Sequence, residues 1–397
     1  MTNKKILIVT QNFYPVIGSA GNRMKNIFQL LNENNVETDV LTTEPAYPNK
    51  NMYKDEQFWD DEKVNQSQHK IIRVPLKNNH YDNRLFFYVE IMLRFLWQLW
   101  KLRKKKYDFI YVSSPPIFIV FSVLIAKLFM NTKIILEIRD LWPDSLSGVK
   151  TFDNQLIIGI FRGLEMIMYN RANFIVINSE GFENHIRNKL KKKDKKIIYL
   201  PNGPRLYEVV TDKSYDDDFR VVYTGNIGLA QDIDRLKLIT KLLDEKNIQF
   251  DIIGYGAKMK EFLQFIDDNS FTNIRVFPPT TRKKSLELIK QSNVAIALLN
   301  DEDVFKTVLP GKIIDYMTCK TPVIAGVKGV AAKLITKNKT GFTFDYEDTE
   351  SMIDKIEKLK NNPEEQAEFG NNCLNVIEEQ FLWENNINKL LEIIHIR

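Results

Sequence analysis

The amino-acid sequence predicts an α/β protein made of two Rossmann-like domains in tandem. Short apolar runs alternate with stretches of helical length along most of the chain, which is the pattern of parallel sheets covered by helices. The alternation stops at the turn PNGP, 201–204, and restarts at residue 220. At 397 residues the chain is also too long for a single core. We therefore place one domain at 1–203, a second at 204–375 and a C-terminal helix at 376–397.

The first domain opens with a strand, a loop, a helix and a second strand. The strand at 5–9 is followed by a loop containing Gly18, Ser19 and Gly21, and a helix pattern begins near residue 22. Ligands of open α/β sheets bind at this carboxyl edge of the strands. A single Gly-x-x-Gly is weak evidence, because glycine is also used simply to allow positive φ. Later strands are predicted at 36–41, 70–74, 109–113, 133–138, 174–177 and 197–200, and helices at 85–102, 117–130, 157–169 and 180–192.

The second domain repeats this pattern, with a glycine loop after each of its first two strands. Each loop alone could be an ordinary turn between a strand and a helix. At successive strand ends of one sheet, the loops together favour a nucleotide. The residues concerned are Gly225, Asn226, Gly228, Gly254, Gly256 and Lys258.

The segment 308–326, VLPGKIIDYMTCKTPVIAG, combines a turn, a helix and a buried strand. The turn at Pro310 and Gly311 leaves backbone N–H groups free at a helix N-terminus, where a phosphate binds well, and Lys312 follows directly. Asp315 lies one turn inside the helix, where a ribose diol could donate hydrogen bonds to its carboxylate. The alternative is an ordinary helix–strand unit with Asp315 in solvent.

A second group of polar residues, Arg139 to Ser145, follows the strand at 133–138. A carboxylate at Asp140 could accept a proton from an incoming hydroxyl. The alternative is that Asp140 pairs with Arg139 or caps the next helix.

Composition excludes several other classes of protein. Two cysteines are too few for a disulfide framework and indicate a reducing compartment, and the four histidines have no metal-ligand spacing. The apolar run near the N-terminus is too short for a signal peptide. The net charge is +5, but no nucleic-acid-binding module is recognisable. The basic run 101–106 follows an aromatic stretch at 85–100, which favours an anionic membrane surface, although a core helix with a solvated basic end is the alternative.

Four segments together resemble the family-4 retaining glycosyltransferases of the GT-B fold. They are VLPGKIIDYMTCKTPVIAG, EIRDLWPDS, YTGNIGLAQD and YLPNGP. The chain is most similar to the branch that builds bacterial capsule and O-antigen repeat units, including N-acetylfucosaminyl transferases. The resemblance implies two domains facing across a cleft, with the nucleotide sugar in the second, the acceptor in the first, and a final helix that crosses back to the first.

The resemblance also assigns roles to individual residues. The acidic pair of the family, E-x7-E, falls on Thr307 and Asp315, so Asp315 is the ribose ligand and the first acid is missing. The loss fits a donor that lacks a polar group there, such as a 6-deoxy sugar. The arginine and lysine that usually hold the diphosphate are not at their common place, and Lys312, Lys258 or Arg282 would substitute. Asp140 stands near the position of a family histidine.

The implied activity is transfer of an N-acetylated amino or 6-deoxyamino sugar from a UDP-sugar to a polyprenyl-diphosphate-linked saccharide. Retention would need no protein nucleophile, no metal and no cofactor. The implied location is cytoplasmic, on the inner face of the plasma membrane. Two alternatives stay open. One is a UDP-sugar epimerase of the same fold, which the scarcity of histidine argues against, and the other is a non-catalytic UDP-sugar-binding subunit.

Overall fold

The structure is a computed structural model that describes residues 4–77, 84–148, 155–213, 218–345 and 348–395. The chain divides into two compact units. The first consists of Met1–Pro201 together with Glu384–Arg397, and the second of Asn202–Trp383. Each unit contains one all-parallel sheet, which confirms the predicted α/β class.

The first unit contains a seven-stranded sheet in the order β3-β2-β1-β4-β5-β6-β7. Its strands are β1 Lys5–Val9, β2 Glu37–Thr43, β3 Ile71–Val74, β4 Phe109–Ser114, β5 Lys133–Ile138, β6 Phe174–Ile177 and β7 Ile197–Tyr199. Its helices are α1 Ser19–Glu33, α2 Glu62–Gln66, α3 Arg84–Leu102, α4 Ile117–Ala126, α5 Asp144–Gly148, α6 Gln155–Arg171 and α7 Glu183–Lys189.

The direction of the crossovers decides which helices share a face of this sheet. The connections that contain α3, α4 and α6 all lead the same way across the sheet, from β3 to β4, β4 to β5 and β5 to β6. The connection that contains α1 leads the opposite way, from β1 to β2. Since such crossovers are almost always right-handed, α3, α4 and α6 cover one face and α1 covers the other.

The second unit contains a six-stranded sheet in the order β10-β9-β8-β11-β12-β13. Its strands are β8 Arg220–Asn226, β9 Gln249–Tyr255, β10 Ile274–Phe277, β11 Val294–Leu298, β12 Val323–Gly326 and β13 Gly341–Thr343. The helices that follow α7 along the chain are α8 Ile233–Glu245, α9 Met259–Asn269, α10 Arg282–Lys290, α11 Gly311–Thr318, α12 Gly329–Lys337, α13 Thr349–Lys360, α14 Pro363–Val376 and α15 Trp383–His395.

The strand order reverses between β8 and β11, and these two strands pair only briefly. Val294 lies opposite Val221 and Ala295 opposite Val222, after which the pairing ends. On its other side β8 pairs with β9 as far as Asn226 and Tyr255. The carboxyl ends of β8 and β11 therefore part, and such a switch point is where open α/β sheets hold their ligands.

In three places the structure differs from the sequence-based description. The helix predicted at 180–192 is a 3₁₀ turn, Glu180–Phe182, followed by a short α7, and the Ser179 side chain does not cap it. The segment 46–65, for which the sequence analysis gives no helix or strand, contains two 3₁₀ turns and the start of α2. The strand β13 has only three residues, too few for a recognisable periodicity, and was not predicted.

Candidate active site

The hydroxyl of Tyr316, on α11, holds the crevice between β8 and β11 in shape. It accepts a hydrogen bond from the Thr224 N–H of β8 at 2.9 Å and donates one to the Ile296 carbonyl of β11 at 3.0 Å. Both backbone groups lie beyond the last β8–β11 pair. The hydroxyl therefore takes the place of the hydrogen bonds that the two strands would form with each other if their pairing continued. Tyr316 is fully buried, and its two bonds fix α11 against both strands.

Lys312 lies one turn before Tyr316 on α11 and extends over the end of β8. Its Nζ is 3.8 Å from the centre of the Tyr223 ring, and the end of the side chain passes Gly225. Although the residue as a whole is partly exposed, Nζ is buried and has no hydrogen-bond partner among the described residues. Burial lowers the pKa of Lys312 to about 7. A buried amine without an acceptor is the arrangement expected where a bound anion would complete the site.

Gly225, beside this lysine, has a backbone conformation that residues other than glycine rarely adopt. Its φ of +101° belongs to the region that favours glycine, and a Cβ there would lie 3.6 Å from the Lys312 Cε. Gly225 is also the register partner of Gly254 on β9, so both predicted loops begin at the same level of the sheet.

The two glycine loops bond to each other rather than presenting all their N–H groups outward. Ile227 N–H donates to the Tyr255 carbonyl at 2.7 Å, and Lys258 N–H donates to the Ile227 carbonyl at 3.0 Å. A Cβ on Gly256, whose φ is +126°, would lie only 2.0 Å from the Asn226 Oδ1. The two loops thus pack closely against each other at the ends of the strands. The amides of Ile227 and Lys258 are used in these bonds and are not free to bind a phosphate.

Two further groups of the predicted nucleotide site already have partners within the protein. The Gly228 N–H donates to the Gln231 side chain at 3.0 Å. The Lys258 ammonium forms an ion pair with Glu261 at 3.0 Å. Of the two lysines predicted near the diphosphate, it is therefore Lys312 whose amine is unpaired at the crevice.

The N-terminus of α11 adds a second element suited to an anion. Pro310 is its N-cap residue, no side chain caps the helix, and Gly311 is its first residue. First-turn amides of a helix have no intrahelical acceptor and form the positive end of its dipole. Lys312 and these amides therefore belong to the same turn.

Asp315 does not stand alone in solvent. Its Oδ1 accepts a hydrogen bond from the Arg282 Nη1 at 2.7 Å, and the Arg282 Nε bonds Glu208 at 2.6 Å. Burial raises the pKa of Asp315, and Arg282 opposes this rise. Since the Asp315 side chain is still 30% exposed, a ligand hydroxyl can reach its carboxylate. Arg282, predicted as a substitute diphosphate ligand, instead orients this acid.

Thr307 lies at the end of a 3₁₀ turn, Asp303–Thr307. Its hydroxyl donates to the Val304 carbonyl of the same turn at 2.6 Å. The hydroxyl is thus used locally, and this position offers no carboxylate.

The first unit has its own buried polar centre around Glu137 of β5. The carboxylate accepts hydrogen bonds from Arg23 Nε of α1 at 2.7 Å and from the hydroxyls of Tyr111 and Ser113. Arg139 lies 3.5 Å from it and donates to the Ser113 Oγ at 2.7 Å. Burial would raise the pKa of Glu137, but the two guanidinium groups hold it below its usual value. The network ties the first helix to the carboxyl ends of β4 and β5.

The predicted acceptor loop leads into α1, whose N-cap is Gly18 with a φ of +94°. Ser19 is exposed at the first position of the helix. A Cβ on Gly21 would lie 2.0 Å from the Val16 carbonyl oxygen, so the close turn here requires glycine. Arg139 contacts Ser113, Pro115 and Glu137, and it connects to α1 through that network.

Asp140, predicted as the base, stands just beyond β5. Its carboxylate accepts hydrogen bonds from the Ser145 side chain and the Leu141 N–H. Burial raises the pKa of Asp140 above its usual value. These bonds stabilise the turn that leads into α5, and the positive charge of Arg139 favours the ionised form of the carboxylate.

Three residues that matter for this geometry escaped the sequence-based prediction. Tyr316 looked like one more apolar position of α11, and Glu208 lies in the segment after the PNGP turn, where no motif marks it. Glu137 could have been found from the sequence, because a carboxylate inside an apolar strand needs a charged or hydrogen-bonding partner.

A separate pocket lies at the ends of β11 and β12. Its lining includes Arg235, Phe305 and Lys328, and it does not include Lys312 or Asp315. Lys328 is paired there with Asp301 at 2.7 Å. Because this lysine already has a carboxylate partner, it gives less support for an anionic ligand than the amine of Lys312.

Neither a cluster of metal ligands nor a helix suited to span a membrane is present in the described part of the chain. No group of three or more His, Cys, Asp or Glu side chains is placed to hold a metal ion. No helix there is long and apolar enough to cross a membrane.

Two protein-family descriptions match the chain, one for each unit. "Glycosyl transferase 4-like domain" matches residues 18–203, and "Glycosyl transferases group 1" matches residues 210–375. Together they account for nearly the whole sequence.

Two curated relatives come from Staphylococcus aureus. The poly(ribitol-phosphate) alpha-N-acetylglucosaminyltransferase of strain COL is 25% identical over 234 residues, which are 57% of this chain and 44% of that protein. The chain thus aligns with less than half of that relative. The capsular polysaccharide biosynthesis glycosyltransferase CapM is 24% identical over 335 residues, 78% of this chain and 82% of that one.

Solved structures of low identity share the fold across the whole chain. Anabaena Alr3699/HepE, solved in complex with UDP and glucose, has a TM-score of 0.72 at 14% identity and covers 99% of both chains. The sucrose-phosphate synthase of Thermosynechococcus elongatus has a TM-score of 0.70 at 15% identity and covers 98% of both chains.

Replacing Tyr316 with Phe removes the hydroxyl that bonds Thr224 and Ile296. Two buried backbone groups then lose their partner, so we expect the free energy of unfolding of the second unit to fall by about 1–3 kcal/mol. Urea unfolding measures this, with Tyr223→Phe as the matched control, since that hydroxyl bonds only the Asn226 carbonyl in the described structure. Equal stability of the two variants would contradict the assigned role.

Replacing Lys312 with Met should stabilise the ligand-free protein. Because the pKa in the folded chain is about 7 against 10.5 in the unfolded chain, the unfolded chain binds the extra proton between these values. The free energy that the folded chain loses by burying a protonated Lys312 is therefore largest below pH 7 and decreases towards pH 10.5. We expect a gain on the order of 2–4 kcal/mol below pH 7 that shrinks as the pH rises. Thermal unfolding across this range tests it, with the exposed Lys258→Met as control, and a destabilised Lys312→Met at every pH would refute it.

Proposed function

The chain is a family-4 glycosyltransferase of the GT-B fold, as the sequence predicted, and we propose that it transfers a sugar from a UDP-sugar with retention of configuration. The observation that carries the proposal is the unpaired, buried amine of Lys312 at the first turn of α11. A diphosphate would supply the missing acceptor and bring negative charge to the positive end of the helix.

The second unit offers a matching place for the rest of the nucleotide. Asp315 lies three residues beyond Lys312, about one helical turn away, and its exposed oxygen suits the ribose hydroxyls. Arg282 orients this carboxylate and favours its ionised form against the effect of burial. Uridine is supported by the structural neighbours, since Anabaena HepE was solved with UDP and with UDP-glucose.

An N-acetylated amino sugar, with or without a 6-deoxy group, is the proposed cargo. The support is the name of one relative, an alpha-N-acetylglucosaminyltransferase. Thr307, where the resemblance places an acid, leaves this side of the donor sugar without a charged contact. A donor with fewer polar groups at that point fits such a site.

Retention follows if both bonds change on the same face of the sugar. The bond from the anomeric carbon to the UDP oxygen breaks, and the acceptor oxygen bonds to the same carbon. The acceptor proton passes to the departing phosphate oxygen, while Lys312 and the α11 amides stabilise the charge that develops on the diphosphate. Asp140 is the proposed group of the first unit that accepts a hydrogen bond from the acceptor hydroxyl, so that its negative charge orients the hydroxyl while the proton passes to the phosphate oxygen. No metal takes part in this scheme.

The proposed acceptor is a polyprenyl-diphosphate-linked saccharide of capsule or other surface polysaccharide, reached from the inner face of the plasma membrane. The relative CapM is named for capsular polysaccharide biosynthesis. The loop Gly18–Gly21 at the positive end of α1, with Arg139 in the adjoining network, is the proposed phosphate contact of the acceptor. The aromatic and basic end of α3 supports a position at an anionic membrane.

One observation favours a second candidate, a non-catalytic UDP-sugar-binding subunit. Thr307 has no carboxylate, and its hydroxyl is bonded within its own turn. A donor site that binds UDP without activating the sugar would look similar.

A panel of UDP-sugars with a lipid-linked acceptor separates the two candidates. We expect product from at least one amino-sugar donor, detected by mass spectrometry, with the anomeric configuration of the donor retained. Binding of UDP with no turnover for any donor supports the binding subunit instead. A product of inverted configuration would overturn the retaining mechanism.

The affinity for UDP-glucose should depend on Lys312 and on pH. Because only the protonated amine attracts the diphosphate, we expect the wild-type affinity to weaken above pH 7, at most about tenfold per pH unit. Lys312→Met should bind about 10–100-fold more weakly and lose this dependence. Titration calorimetry measures both, and Lys258→Met serves as control. Unchanged affinity in Lys312→Met would remove the diphosphate assignment.

Asp140→Asn separates chemistry from local structure. Asn keeps an oxygen that can accept the bonds of Ser145 and Leu141 but carries no negative charge. If the carboxylate acts on the acceptor, we expect the transfer rate to fall about 100-fold or more with UDP-glucose affinity unchanged. A variant as active as the wild type would show that Asp140 only stabilises the turn before α5.

A further inference from the structure

The exposed apolar residues of this protein are concentrated on one side of the first unit. Of the sixteen large hydrophobic residues exposed in the described chain, eleven lie on α3, on α6, or at the end of α4. The other five are spread over the second unit. The eleven are Phe86, Leu93, Trp97, Trp100, Ile125, Leu128, Phe129, Leu156, Ile160, Met166 and Ile167. We call the surface that they form the three-helix face.

The three helices are neighbours on one face of the sheet. They belong to the successive crossovers between β3 and β6, and α4 packs against both α3 and α6. At the junction of the first pair, Tyr88 of α3 stacks on Phe118 of α4 with ring centres 5.1 Å apart. The exposed residues therefore lie on neighbouring helices that cover one face of the sheet.

The outward side of α6 is apolar, the reverse of an ordinary surface helix. Leu156, Ile160 and Ile167 follow a helical spacing, and Leu156 is 82% exposed and Ile160 64%. Gly159 and Gly163 lie among them with open space around each α-carbon. A helix that faces water normally presents polar residues there. A contiguous apolar surface of this kind marks an interaction site.

The outward side of α3 also carries large apolar residues. Its inward residues form a buried stripe that includes Ile91, Phe95 and Leu99, so the core accounts for them. Trp97 and Trp100 are about half exposed on the outward side. The core gives no reason for two tryptophans in that position.

Positive charge surrounds this apolar surface. The segments 84–106, 117–130 and 155–171 contain ten Lys and Arg but only two Asp and Glu, a net charge of +8, whereas the whole chain carries +5. The Lys101 Nζ lies 3.1 Å from the centre of the Trp97 ring, and the Arg103 guanidinium lies 3.8 Å from that of Trp100. Aromatic rings with cations beside them are typical of the boundary between lipid headgroups and acyl chains.

We propose that the three-helix face docks flat on the surface of an anionic lipid bilayer, with α6 as well as α3 in contact with lipid. Two copies of the chain would bring a net +8 against another +8 if they met through this face, so charge complementarity favours anionic lipid over a second copy. The proposal deepens the proposed function, since a lipid-linked acceptor lies at such a surface. It extends the sequence-based membrane prediction, which covered only residues 85–106.

Vesicle sedimentation tests the face without any sugar donor, so failure of the transferase proposal would not affect the result. We expect the full chain to sediment with phosphatidylcholine vesicles that contain phosphatidylglycerol, to do so more weakly with phosphatidylcholine alone, and to be released by salt. The triple variant Leu156→Gln, Ile160→Gln, Ile167→Gln should bind anionic vesicles at least about tenfold more weakly, because three exposed apolar side chains no longer enter the interface.

The matched control is Leu238→Gln with Leu263→Gln, two exposed leucines of the second unit, which should bind as the wild type does. Circular dichroism confirms that the variants fold, and their replaced side chains all face outward. Three results would overturn the proposal: no sedimentation of the wild type, wild-type binding by the triple variant, or a dimer in solution that the triple variant abolishes. If vesicles bind as expected but no donor gives product, the surface stands and the transferase proposal fails.

Discussion

Two hydrogen bonds of one buried hydroxyl hold the crevice of the second unit, the proposed donor site, in shape. The strands β8 and β11 pair over only two residues and then part, and parting strands leave backbone groups without partners. Tyr316 satisfies one such group on each strand. The same helix that carries Tyr316 carries Lys312 one turn earlier and Asp315 beside it. The positions of a cation and a carboxylate therefore follow from the way in which the sheet opens.

The two units place buried charge in opposite ways. In the first unit one carboxylate, Glu137, lies between two guanidinium groups, those of Arg23 and Arg139. In the second unit one guanidinium, Arg282, lies between two carboxylates, those of Glu208 and Asp315. Removing one partner from such a group leaves an uncompensated charge, which is strongly unfavourable in the interior. Each arrangement holds a functional candidate in place through groups that do not themselves need to touch substrate.

The sequence predicted the fold well because its evidence is local. Apolar runs, helical spacing and breakers lie within a few residues of one another, so α1, β8 and α11 were visible without tertiary information. The predicted Lys312 and Gly225 meet at the crevice because parallel strands end at one edge. The partner of Asp315 was not predictable in this way, since Arg282 lies 33 residues from it along the chain and no spacing rule links the two. The same holds for the amides of the glycine loops, whose mutual bonds depend on the β8–β9 register.

The route of the chain also affects how this protein is made. The first unit includes residues 384–397 as well as its opening 201 residues, while the second is a single continuous stretch. In α15 the side chains of Ile387, Leu390 and Ile393 are almost completely buried, and Lys389 lies over the ring of Tyr199 on the last strand of the first sheet. During synthesis from the N-terminus, the second unit has all of its residues before the first has its final helix. The unit that begins first is therefore completed last, and its sheet must wait, with part of its apolar surface uncovered, until α15 has left the ribosome.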